Sequence, residues 1–163
     1  MKRIEKATTA SLEQVMKIYD DARAYMRATG NATQWAGGYP AESLIRADME
    51  KGNLYLCLDE EEIVGVFYFA KENDPTYEKI YEGSWLNDEP YAVIHRVAVS
   101  RESHGKGVAA FIFDSCFEKW ANIKIDTHRD NLPMQKSLEK RGFVRCGIIH
   151  LANGDPRIAF QRV

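Results

Sequence analysis

Long apolar runs are missing from this chain of 163 residues, and none approaches the ~20 residues that a membrane-spanning helix needs. The opening Met1-Lys2-Arg3-Ile4-Glu5-Lys6 is charged, but no apolar stretch follows it, so it does not read as a secretory signal. Neither sign of charge is in excess, with 22 Lys and Arg against 24 Asp and Glu. That balance gives no global attraction to nucleic acid or to an anionic membrane. Cysteine is scarce: Cys57, Cys116 and Cys146 are odd in number, form no CxxC pair and sit among apolar neighbours. They are expected to be buried thiols in a reducing compartment, which places the protein in the cytoplasm. No metal-ligand spacing, repeat, linker or low-complexity tract is present.

Hydrophobic residues make up 45% and aromatics 11%, enough to close one core without metal or disulfide, so residues 1–163 are expected to form a single domain. Arg3 to Ala7 reads as a first strand. Ser11 offers an N-cap with Gln14 three places on, and Leu12, Val15, Met16, Tyr19, Ala22 and Met26 recur at helical spacing as far as Gly30. Pro40 suits the first turn of a second helix that stops at Gly52. Leu54–Leu58 and Ile63–Ala70 form a hairpin around the acidic turn Asp59 to Glu62. A long polar connection, Glu72 to Glu89, with a short element near Tyr77 to Tyr81, leads to a central strand from Tyr91 to Val99. A helix from Gly107 to Trp120, a strand from Ile123 to Thr127, a helix capped by Asn131 and ended by Gly142, and strands Phe143–His150 and Ile158–Arg162 complete the chain. The order predicts an α/β (α+β) fold, a mixed sheet covered by helices.

The informative stretch is Val97-Ala98-Val99 running through a polar turn into His104-Gly105-Lys106-Gly107-Val108-Ala109. A strand that enters glycines at a helix start makes a place for phosphate oxygens, because the first helical amides are unpaired and glycine lets a ligand approach the backbone. A Walker A loop would need Ser or Thr directly after Gly-Lys, where Gly107 stands, and the dinucleotide fingerprint would need a third glycine. Taken alone, the segment is equally well a glycine turn before a packed helix.

The segment resembles the acyl-CoA-binding motif of the GNAT superfamily of N-acetyltransferases, Gln/Arg-x-x-Gly-x-Gly/Ala. Asp130-Asn131 with Gly142-Phe143 resembles the family's second signature, and Ile94 to Val99 its central strand. The likeness covers nearly the whole chain. It implies a mostly antiparallel sheet with helices on both faces, and transfer of an acetyl group from acetyl-CoA to a primary amine of a small molecule or peptide by direct attack. A catalytically inactive acyl-CoA-binding sensor is the alternative. His104 stands where the family usually has Gln or Arg. Leu138 stands where many members carry a tyrosine acid, so that role is not transferred.

By the same resemblance, the backbone of Val97, Ala98 and Val99 would pair with the pantetheine arm. His104, Gly105, Lys106, Gly107, Val108 and Ala109 would hold the pyrophosphate, and Asn131 would bond the arm, cap its helix, or both. An amine needs a base to lose its proton at neutral pH. His95 is the first candidate, and strand alternation places it on one face with Tyr91, Val93, Val97 and Val99. Glu89, just before that strand, is the second, and His128 reads as structural. Tyr25, Trp35, Tyr39 and Trp85 lie where the family builds its acceptor pocket, or else pack the long helix on the sheet. The resemblance leaves monomer and homodimer open.

Overall fold

The computed structural model describes residues 1–163. Strand β1 (Lys2–Lys6) leads through a short 3-10 turn into helix α1 (Leu12–Ala28), and helix α2 (Glu42–Glu50) follows. The hairpin β2 (Leu54–Asp59) and β3 (Glu62–Lys71) precedes β4 (Ala92–Val99), then α3 (Val108–Lys119), β5 (Ile123–Thr127), α4 (Leu132–Lys140), β6 (Val144–His150) and β7 (Pro156–Arg162). The order of elements is the one expected. The seven strands form one sheet in the order β1-β2-β3-β4-β5-β7-β6, antiparallel except for the pair β4 and β5. No helix is long and apolar enough to cross a membrane.

Local differences from the sequence reading have physical causes. Ser11 makes no side-chain cap, because the 3-10 turn Thr9–Ser11 enters α1 directly and its own backbone takes the bonds. Pro40 precedes α2 instead of opening it, behind a cis Tyr39–Pro40 bond. The hairpin turn is tighter than the four acidic residues suggest, since Asp59 and Glu62 already pair. Asn131 does cap α4, its Oδ1 accepting from Met134 N at 3.2 Å.

One face of the sheet is covered by α3 and α4, packed on Phe67, Phe69, Ile94, Val97, Ile125 and Phe160. The other carries α1 and α2 over β2 and β3, with Val15, Tyr19, Ile45, Leu56 and Val66 at the centre. Beyond β3 that second face is covered by the connection from Glu72 to Tyr91, packed through Tyr77, Tyr68 and Val93. The connection is held down by Trp85 Nε1 donating to the Tyr77 carbonyl, 2.9 Å, and by Leu86 N donating to Gln161 Oε1, 2.7 Å. It also lies close to β6: a Cβ on Gly83 would stand 1.9 Å from the Cys146 carbonyl oxygen, so no other residue fits there.

Two irregularities in β4 position the site. Its ladder with β3 slips between Val66 and Tyr68, so that Arg96 and Val97 together face one residue of β3, and Arg96 takes φ 52°. This is a β-bulge, and it reverses the alternation. His95 and Val93 face the connection, whereas Val97 and Val99 face α3 and α4. The expected common face for His95, Val97 and Val99 is therefore incorrect. Secondly, β4 and β5 pair only at Ala92–Ile123 and Val93–Lys124. Past Val93 the strands separate and open a cleft.

Candidate active site

The bulge is held by side chains from three elements. Arg96 Nε donates to Asp48 Oδ2 at 2.9 Å, its Nη1 to Tyr39 Oη at 3.1 Å, and its carbonyl accepts from the buried Tyr19 hydroxyl at 2.8 Å. Asp48 is 1% exposed, so the ion pair ties α2 to β4 where little water competes.

Two cavities meet in the cleft, sharing Met26, Val97, Asn131 and Met134 as walls. One is bounded by Val97, Ala98 and Val99 of β4 and by Gly105, Gly107, Val108 and Ala109 at the start of α3. The β5-facing edge of Ile94–Val99 has no strand partner past Val93, so its peptide groups are open to an extended ligand. Gly107 has φ 78°, a left-handed conformation that glycine adopts freely, and a Cβ there would meet nothing within 4 Å. Phe111 N–H is the first amide of α3 seen to bond back, to the Gly107 carbonyl at 3.0 Å, so the amides before it face outward at the positive end of the dipole. These features fit an anionic, strand-like ligand such as an acyl-CoA. His104 lies on this wall, with a ring Nε2 3.2 Å from the Val99 carbonyl oxygen. Lys106 is exposed and does not line the cavity. Asn131, besides capping α4, donates through Nδ2 to Gln34 Oε1 at 3.0 Å.

The second cavity, about 520 Å³, includes His95, Asp74, Asp126, Arg157, Trp35 and Tyr39 on its walls. His95 Nε2 lies 3.0 Å from Asp74 Oδ2, both side chains about one fifth exposed. Asp74 begins the turn Asp74-Pro75-Thr76, where its Oδ1 accepts from Thr76 N at 2.9 Å and Thr76 Oγ1 at 2.7 Å. Burial alone would raise the Asp74 carboxyl, but hydrogen bonds from His95 and Thr76 outweigh it and lower it to about 2. A carboxylate accepting from Nε2–H leaves Nδ1 as the imidazole's basic atom. Asp126 accepts from Tyr77 Oη at 2.6 Å, and burial raises its carboxyl above the usual value against the opposing pull of His95.

Several expected site residues lie elsewhere. Glu89 is exposed and lines neither cavity, its carbonyl accepting from Asn122; the carboxylate at His95 is Asp74, which the sequence reading missed. Its local signal is the Asp-Pro-Thr turn itself. Tyr25 lies on the glycine-loop cavity, edge-on to His104 at 4.4 Å between centroids, and not on the His95 cavity. Trp85 packs on Tyr77 under the connection and reaches neither. Leu138 is fully buried in the core. His128 shares a hydrogen bond with Thr33 Oγ1 at 2.9 Å and lies off both walls. All three cysteines are buried and unpaired, with burial raising Cys57 to about 11 and Cys116 to about 12, so none is a ready thiolate.

A parallel pair thus splays beside a glycine-rich helix start, inside an otherwise antiparallel sheet. The family model of the Acetyltransferase (GNAT) family matches residues 12–143, most of the chain, and the chain belongs to that family. Among solved structures it is similar to a GNAT-family acetyltransferase from Streptococcus agalactiae 2603, at 29% identity, covering 99% of this chain and 95% of that one, with TM-score 0.92. It is also similar in fold to GNAT-family acetyltransferases from Bacillus cereus ATCC 10987 (20% identity, 99% and 96% covered, TM-score 0.66) and Listeria monocytogenes 4b F2365 (18%, 99% and 94%, 0.71). No curated protein matches the chain.

Proposed function

We propose that this acyltransferase is an acetyl-CoA-dependent N-acetyltransferase acting on a primary amine by direct attack. The observation that carries the reading is the His95–Asp74 pair on the wall of one cavity, where that cavity meets the cleft built by β4 and the glycine loop. When bound, acetyl-CoA supplies a thioester carbonyl as electrophile and a thiol as leaving group. The open edge of Val97 to Val99 would hold its arm, the amides from Gly105 to Ala109 its pyrophosphate, with His104 and Asn131 beside it. Lys106 would add only exposed charge. Trp35 and Tyr39 would wall the acceptor.

The chain's own part is proton management. An amine attacks only as the free base, so His95 takes the proton that the ammonium or the attacking nitrogen must lose. Asp74 stabilises the imidazolium that results. The new N–C bond forms as the C–S bond breaks, and the proton balance closes when the departing thiolate is protonated. The three unpaired thiols suit a reducing cytoplasm.

The test is thiol release from acetyl-CoA over a panel of small amines and peptides. Turnover with at least one amine, falling by about 10²–10⁴-fold in His95→Ala at unchanged acetyl-CoA affinity, is expected. Saturable acetyl-CoA binding without thiol release across the panel would instead identify a sensor.

A further inference from the structure

Arg157 stands apart from the other arginines. It is 6% exposed and the only arginine in the buried class. No carboxylate lies within 4.0 Å of its guanidinium, and the one hydrogen bond of its side chain is Nη1 to the carbonyl of its neighbour Pro156, 3.0 Å. Arg96, by contrast, is paired with Asp48, and Arg141 and Arg162 with Asp114. A guanidinium carries five N–H donors and stays charged in proteins, so leaving it buried and unpaired is costly. It lines the His95 cavity. The carboxylates on the same walls are hydrogen-bonded elsewhere: Asp74 holds His95 and Thr76, Asp155 is bonded within its own turn by Asn153, and Asp126 accepts from Tyr77, feeling the charge of Arg157 without forming an ion pair with it.

Register places Arg157 on the same sheet face as the base, two residues along β7 from the partner of Asp126. Val93 pairs with Lys124, Asp126 with Ala159, and Ile149 with Arg157, so His95, Asp126 and Arg157 lie on one face of three neighbouring strands, β4, β5 and β7. Two strand spacings, roughly 10 Å where strands are paired, lie between β4 and β7, and the splay of β4 from β5 together with the two-residue offset of Arg157 widens the span at the cavity. Both residues line the same cavity, whose volume of about 520 Å³ is that of a small-molecule site. Met26, Trp35 and Leu151 give the cavity an apolar side.

We propose that Arg157 is an anchor for the acceptor's carboxylate, so that the amine acetylated by this enzyme is a small amino-acid-like molecule. The inference rests on the acyl-transfer reading above. Arg forms a planar two-pronged bond to a carboxylate that Lys cannot reproduce, and a charged group bound this way fixes the orientation of its amine toward His95. A neutral or polycationic amine would leave the guanidinium unpaired or repelled.

The experiment uses matched acceptors, each amino acid with its amide and its decarboxylated amine, scored by thiol release from acetyl-CoA. The wild-type protein is expected to prefer the acid through KM by at least about 10-fold, the size of a charge-assisted hydrogen bond. Arg157→Gln should raise KM for the acid by about the same factor and leave kcat, the amide and acetyl-CoA affinity unchanged. Arg157→Lys, which keeps the charge, should retain part of the preference and serves if the Gln variant unfolds. In parallel, calorimetry with CoA present compares N-acetyl amino acids with their amides, so the anchor is tested even without turnover. Equal use of acid and amide by the wild type, or an acid preference untouched in Arg157→Gln, overturns the inference and leaves acyl transfer standing. Binding of N-acetyl amino acids and amides with equal affinity, or of neither, overturns it as well. Failure to bind acetyl-CoA would strike the underlying reading instead.

Discussion

His95 has no carboxylate on its own strand; Asp74 is delivered to it from the start of the connection that leaves β3. The turn fixes that carboxylate, because Thr76 occupies Oδ1 and leaves Oδ2 for the imidazole. Asp74→Asn should therefore keep the turn, as an amide oxygen also accepts from Thr76, while removing the charge opposite His95. Loss of a neighbouring negative charge disfavours the imidazolium that forms as the base takes its proton. Asp74→Asn should therefore lower kcat on the order of 10²-fold at unchanged acetyl-CoA affinity. Glu89→Gln, on an exposed loop, should leave kcat as it is. A kcat of Asp74→Asn matching the wild type would remove Asp74 from the mechanism. Sequence could offer His95, a titratable residue inside an apolar strand, but proximity along the chain pointed to Glu89. Where a long loop folds back is set by the packing of Tyr77 and Trp85, which local pattern does not reveal.

At the scale of elements, the bulge of β4 does most to shape the site, and alternation reasoning is blind to it. A period-2 pattern assigns Val97 and Val99 to the face of His95; one extra residue at Arg96 sends them to the opposite face. Arg96 is an unusual residue for a left-handed backbone, and Asp48, Tyr39 and Tyr19 hold it there. The glycine loop, by contrast, was legible because its chemistry is local: glycines at a helix start. Its test is Gly107→Glu beside Gly107→Ala. Both force a side chain into φ 78°, which costs about 1–2 kcal/mol, and both have open space around the new Cβ. Only Glu places negative charge where a pyrophosphate would sit, and a carboxylate at a helix N-terminus does not harm the helix. Acetyl-CoA affinity by calorimetry should fall by at least about 10-fold more in the Glu variant than in the Ala variant. Equal affinities would remove phosphate from this loop.

For the whole molecule, the strand and helix order was readable because each element carries its own period and its own stops. The mutual placement of charged side chains over three strands was not, since it depends on register. That placement makes opposing demands on stability. Asp74 titrates at about 2 in the folded protein against ~3.9 in an unfolded chain, so its contribution is present above pH ~4 and fades as pH falls toward 2. Asp126 has the opposite sign. Burial raises its folded value, so the folded protein holds that proton longer, and stability is lost as pH rises from ~4 through the raised value. Asp126→Asn keeps an acceptor for the Tyr77 hydroxyl while removing the half-buried charge. The variant should melt above the wild type at pH 7 by a few degrees, each kcal/mol moving Tm by about 2–4 °C in a protein of this size. The difference should close below pH ~4, where the wild-type carboxyl is itself protonated in both states. Thermal unfolding followed from pH 3 to pH 8 checks this. A variant that melts at or below the wild type at pH 7, with a gap that does not vary with pH, would mean that Asp126 is a stabilising partner in the cavity and not a charge kept there at the expense of the fold.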